Sequence, residues 1–106
     1  MKIVVTLPDS TAHDVAAKSG SSVMESIRAA GLPIRAECGG AMACATCHVA
    51  VDPEWTARVG PPGGEESDLL DSSDYRTDAS RLSCQIRVND ALDGLRVTLQ
   101  LDAYED

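Results

Sequence analysis

Four cysteines, Cys38, Cys44, Cys47 and Cys84, stand as C-x5-C-x2-C-x36-C, three in one short stretch and one far downstream. Four thiolates brought to one point make a soft, strongly negative site suited to zinc or to an iron–sulfur cluster. Zinc ribbons usually present two matched C-x2-C knuckles, whereas this chain has one such pair and two outlying cysteines. The stretch also carries Gly39, Gly40, Ala41, Ala43 and Ala45. Such small residues let backbone N–H groups close on inorganic sulfur, which a lone zinc ion does not need. The pattern therefore argues for a 2Fe-2S cluster; zinc, disulfides and free thiols are the alternatives.

The chain has 106 residues and suits a single domain, 1–106, with a modest core. There is no Phe, and the aromatics are Trp55, Tyr75 and Tyr104, so the core is expected to be aliphatic. Net charge is −8, which speaks against nucleic acid and anionic membrane surfaces as partners and towards a partner with a basic docking face. No apolar run approaches transmembrane length, and Met1-Lys2-Ile3 opens on strand-forming residues without an Arg-rich leader. A cytoplasmic, bacterial protein is expected, a cleaved organelle presequence being the alternative. In the cytoplasm thiols stay reduced and free to bind metal.

Along the chain, Ile3–Leu7 predicts a strand, 8–10 a turn and Thr11–Ala17 the returning arm of a hairpin. Ser22-Val-Met-Glu25 has the form of a capping box, opening a helix with Val23, Ile27 and Ala30 on one face. Gly31 and Pro33 end it. After the cysteine stretch, His48–Val51 predicts a short strand. Residues 53–64 hold three of five prolines and three of eight glycines and are expected to be mostly loop, with Trp55 as a packing anchor. Glu65–Asp71 predicts a short acidic helix fixed to the body by Leu69 and Leu70. Cys84–Val88 and Leu95–Leu101 are expected as strands. There is no internal repeat. These elements amount to an α+β fold, a small mixed sheet packed on one main helix.

The cysteine stretch, its spacing and the later Arg81-Leu-Ser-Cys-Gln-Ile86 resemble the adrenodoxin/putidaredoxin family of 2Fe-2S ferredoxins across nearly the whole chain. The resemblance implies a β-grasp fold. It also implies one 2Fe-2S cluster held by Cys38 and Cys44 on an outer iron and by Cys47 and Cys84 on an inner one. The implied activity is one-electron transport from an FAD-containing, NAD(P)H-dependent ferredoxin reductase to a cytochrome P-450 monooxygenase, by a monomer that is not itself an enzyme. The family docks partners on its acidic helix, and alignment places the key acidic pair on Asp68 and Asp71, three residues apart on one helix face. Glu37 falls where camphor-type relatives carry an acidic partner contact. Those relatives end in a contacting aromatic, for which Tyr104 is the candidate substitute here. Ala50 departs from the family, which often has an aromatic there.

His48, next to Cys47, is expected to brace the loop by hydrogen bonding to nearby backbone, since four cysteines already complete the ligand set. His13 is expected to be an ordinary edge or surface residue. Thr46 is placed either to donate to sulfur or simply to pack, and Met42 to shield the cluster from water. The six carboxylates between Glu65 and Asp78 form either a solvated helix face or the docking surface. The runner-up activity is electron donation in iron–sulfur cluster assembly. Assembly-type relatives, however, commonly carry Cys-Glu after the first cysteine where this chain has Cys-Gly-Gly. A structural zinc module is the third alternative.

Overall fold

Alternating apolar residues build the centre of the molecule. The computed structural model describes residues 2–35 and 47–104. Strand β1, Lys2–Thr6, buries Ile3 and Val5, and β2, Ala12–Ala16, returns antiparallel to it and buries Val15. Between them Asp9 accepts hydrogen bonds from the Thr11 backbone N–H (3.0 Å) and hydroxyl (2.6 Å), and Ser10 takes a left-handed φ of 74°. An Asp side chain folding back on its own turn is a common way of closing such a hairpin. Helix α1, Val23–Ala29, has both halves of the capping box: Glu25 N–H donates to Ser22 Oγ, and Ser22 N–H donates to Glu25 Oε1, each at 3.1 Å. Its inner face buries Val23, Met24 and Ile27. Gly31, at φ 79°, lets the chain turn out of the helix as expected.

Strand β3 is His48–Val51, and a short helix α2, Thr56–Val59, follows. Helix α3 is Gly64–Asp71, β4 is Ser80–Leu82 and β5 is Arg96–Leu99. The five strands make one sheet in the order β2-β1-β5-β3-β4, with β1 and β5 parallel and every other neighbouring pair antiparallel. This mixed sheet with one main helix is the β-grasp arrangement. The core is aliphatic; Trp55 and Tyr104 pack against its edge, half-buried. Trp55 acts as the anchor expected of it: Arg58 lies over its ring at 4.8 Å, and Gly94, at φ 90°, passes beside the indole.

Two expectations need correcting. The segment Cys84–Val88 is not a strand of the sheet. Its beginning is a 3-10 turn, Ser83–Gln85, and Arg87 makes only an isolated bridge with Ser22. Ile86 and Val88 are buried, but their backbones bond to the entrance of α1 (Val23 N–H to Ile86 O, 2.9 Å; Val88 N–H to Ser21 O, 2.8 Å). The sheet strand lies just upstream, at β4. The last strand stops at Leu99, because Leu101–Ala103 curls into a 3-10 turn that leaves Leu101 54% exposed. Residues 53–64 are mostly loop as expected, with the short helix α2 between its N-cap Trp55 and Gly60, at φ 84°.

Candidate redox site

Two of the four cysteines meet at the end of the β3–β4 ladder. The register pairs His48 with Leu82, so Cys47, entering β3, and Cys84, leaving β4, emerge side by side. Ser83 locks the junction, donating to Cys47 O from both its backbone N–H (2.9 Å) and its hydroxyl (2.7 Å). That double bond is why the chain curls after β4: an extended strand would carry Cys84 away from Cys47. The sulfurs are buried and 3.3 Å apart. A disulfide needs about 2.0 Å, so the two sulfurs are not bonded to each other. A tetrahedral metal with metal–sulfur bonds of about 2.3 Å holds two thiolates roughly 3.8 Å apart. The observed separation is closer to that spacing than to a disulfide, so the pair can serve as two ligands of one metal ion.

The surroundings favour negative charge on this pair. The Cys84 thiol is held down at about 6, first by its hydrogen bond with Cys47, then by one from Gln85 Nε2 (3.5 Å), against the opposing effects of burial and the Glu66 carboxylate. A thiol already inclined to lose its proton is prepared to be a metal ligand. Cys38 and Cys44, with Glu37, Met42 and Thr46, lie outside the described residues.

His48 is fully buried, with Nε2 2.6 Å from Ser80 Oγ and Nδ1 3.3 Å from Ser73 Oγ. Among the described residues its ring meets the hydroxyls of Ser80 and Ser73. Ser80 Oγ also accepts from Thr77 N–H at 2.8 Å, so the imidazole ties β3 to the turn before β4. His13 sits on edge strand β2, half-buried and 3.1 Å from Thr11 Oγ1. Ala50 is half-buried in β3.

The acidic helix has two faces. Asp68 and Asp71 are exposed, and Asp71 is paired with Arg76, which also donates to Ser67 O (2.8 Å). The opposite face carries what the sequence reading missed. Glu66 is buried, bonded through both carboxylate oxygens to Arg81 (2.6 and 3.2 Å), and accepts the Leu82 N–H at 2.9 Å. Leu70, four residues on, is fully buried on the same side; that i, i+4 pairing was the available signal. Leu69 is half-buried, so both leucines fix the helix as expected.

Tyr104 is half-buried, its backbone bridged to Ile34. With Arg35 N–H donating to Ala103 O at 2.8 Å, this pins the point where the chain enters the cysteine stretch. Among the described residues no helix is long and apolar enough to cross a membrane.

Residues 6–89 match the family described as the 2Fe-2S iron-sulfur cluster binding domain. The chain is 50% identical over 88 residues to ferredoxin CarAc of Sphingomonas sp, covering 82% of this chain and 81% of that protein. It superposes with a TM-score of 0.91 on the crystal structure of a ferredoxin from Rhodopseudomonas palustris HaA2, 42% identical, covering 97% and 99% of the two chains. It also superposes, with a TM-score of 0.88 and 35% identity, on the crystal structure of the covalent putidaredoxin reductase–putidaredoxin complex, covering 93% and 97%. A buried thiol pair in a β-grasp fold with these relatives leaves one conclusion. The chain belongs to the 2Fe-2S ferredoxins of the adrenodoxin/putidaredoxin type and is an electron carrier with one 2Fe-2S cluster.

Proposed function

We propose that this protein takes single electrons from an FAD-containing, NAD(P)H-dependent ferredoxin reductase and delivers them to a cytochrome P-450 monooxygenase, as a monomeric single-domain carrier of the bacterial cytoplasm with no catalysis of its own. Cys38, Cys44, Cys47 and Cys84 hold the cluster, Cys47 and Cys84 on the inner iron. When bound, the cluster accepts and releases one electron. The observation that carries this reading is the buried Cys47–Cys84 pair, its sulfurs 3.3 Å apart, with Cys84 two residues beyond the strand position that Glu66 of the acidic helix grips. The reductase assignment draws on the likeness to the complexed putidaredoxin.

The chain's own residues do the rest. The Ser83 bonds keep the two sulfurs in register, and burial holds both cysteines largely away from water. Asp68 and Asp71 face solvent on α3, where a basic partner is steered by charge into a small, short-lived contact. Glu37 and Tyr104 are the other proposed contacts. Iron and sulfide analysis of Cys84→Ser, with reconstitution against reductases and oxygenases encoded nearby, tests the reading. The variant is expected to lose or destabilise its cluster, and the parent to support turnover with a P-450. An unchanged spectrum in Cys84→Ser would remove the ligand assignment. Turnover only with cluster-assembly machinery would replace the P-450.

A further inference from the structure

Gln85 is neither a ligand nor a docking residue in the assignments above, yet its side chain is aimed at the site. It closes the 3-10 turn Ser83–Gln85, half-buried, with Nε2 3.5 Å from Cys84 Sγ. The turn beneath it is fixed at three points: Ser83 N–H and hydroxyl on Cys47 O, and Ile86 N–H on Ser83 O at 3.3 Å. The amide is thus carried on a short side chain from a rigid base. Its other side meets a cavity of about 350 Å³ shared with Gly63, Gly64, Glu65, Glu66 and Arg81. Neither carboxylate wall of that cavity can donate a proton to sulfur when ionised, and the Arg81 guanidinium is spent on Glu66, Val59 O and Gly60 O. Among the described residues, Gln85 is the side-chain amide that reaches this sulfur.

We infer that Gln85 is a potential-setting residue: its Nε2–H bond to Cys84 Sγ favours the reduced protein and raises the reduction potential. The inference rests on Cys84 being a cluster ligand. A hydrogen bond to a ligand sulfur stabilises negative charge there, and the bond strengthens when an electron is added. Hydrogen bonding to sulfur is one of the levers that sets cluster potentials. Gln85 acts through Cys84 and is a positioning residue in this sense, separate from any role in packing.

The test uses the cluster-loaded protein with Gln85→Met, which keeps length and removes the donor, and Gln85→Glu, which keeps length and polarity but replaces the donor with a carboxylate. The half-buried position on an open cavity accommodates both. Iron and sulfide content are measured first, then the midpoint by redox titration, then the iron–thiolate stretching bands in H2O and D2O by resonance Raman. With two irons and two sulfides retained, Gln85→Met is expected to shift the reduced-to-oxidised ratio about tenfold towards oxidised at a fixed potential, about 59 mV for one electron. Gln85→Glu is expected to shift it further in the same direction. The Met variant should also lose part of the deuterium sensitivity of the stretching bands, which packing alone would not change. Ratios within twofold of wild type in both variants, with unaltered deuterium sensitivity, would overturn the inference. Cys84→Ser separates the two failures. If that variant keeps its spectrum, the ligand reading falls; if it loses its cluster while the Gln85 variants keep wild-type potentials, only the role of Gln85 falls.

Discussion

The two faces of α3 carry the same chemistry and do opposite work. On the outer face Asp68 and Asp71 stand in water. On the inner face Glu66 is buried, holds Arg81 through two hydrogen bonds and caps the Leu82 N–H, a donor that edge strand β4 leaves open. An exposed ion pair contributes at most about 1 kcal/mol, while removing one member of a buried pair costs about 3–5 kcal/mol. Within eight residues, acidity is architecture on one side and, in the function proposed above, recognition on the other. The inner face also protects the sheet edge, which unpaired strand groups would otherwise expose to other chains.

The largest break in this comparison is Glu66→Ala. It strands the Arg81 guanidinium and the Leu82 N–H in the interior, so a loss of about 3–5 kcal/mol is expected, read as a fall in the urea midpoint of the cluster-bound protein. Glu66→Met combined with Arg81→Met should lose much less than the two single losses added together. Additive losses would show that the two side chains are not coupled.

Next is the outer face. Asp68→Asn with Asp71→Asn should slow reduction by the reductase about tenfold at low ionic strength, with the gap closing at high salt. Stability should fall by no more than about 1 kcal/mol, most of it from Asp71, which loses Arg76, while Asp68→Asn alone stays within about 0.5 kcal/mol. Stopped-flow rates at two salt concentrations, beside urea titrations, check both. Wild-type rates and salt dependence in the double variant would return the outer face to plain solvation.

The smallest effect shows that exposure by itself does not sort the two classes. Glu25 is exposed, yet its carboxyl is lowered from 4.5, first by the hydrogen bond from the Ser22 N–H and then by the Ser22 side chain. A carboxylate lowered on folding stabilises above its unfolded value, and that contribution disappears as pH falls through the lower folded value. The stability difference between wild type and Glu25→Gln should therefore be constant from neutrality down to about pH 5 and shrink below 4.5. A difference independent of pH would mean the neutral amide caps α1 equally well.

What was readable in advance was set by local rules. The Ser22–Glu25 box, the Asp9 turn and the span of α3 each depend on residues a few positions apart, and each stands in the structure. The family pattern carried by the cysteines likewise led to the right fold. The misreadings share a different cause. Ile86 and Val88 alternate as strand residues do, but they pair with residues 20–23 because Ser83 has already turned the chain towards Cys47. Glu66 sits in a run of carboxylates, and only Arg81, fifteen residues later, reveals that it faces inward. Partners distant in sequence decided both cases.

The parallel pairing of β1 with β5 bears on how the protein is made. Val4 lies beside Arg96 and Thr6 beside Thr98, so the centre of the sheet joins segments about ninety residues apart in the chain. During synthesis β3 has no β5 to pair with, and the first strand waits with only β2 beside it until β5 has left the ribosome. Contacts this distant are slow to form because the connecting loop must close first. The sheet that holds Cys47 and Cys84 in register is completed only then. A chain stalled before residue 96 would therefore hold the β3–β4 ladder that spaces Cys47 and Cys84 without β5, the strand that joins it to β1.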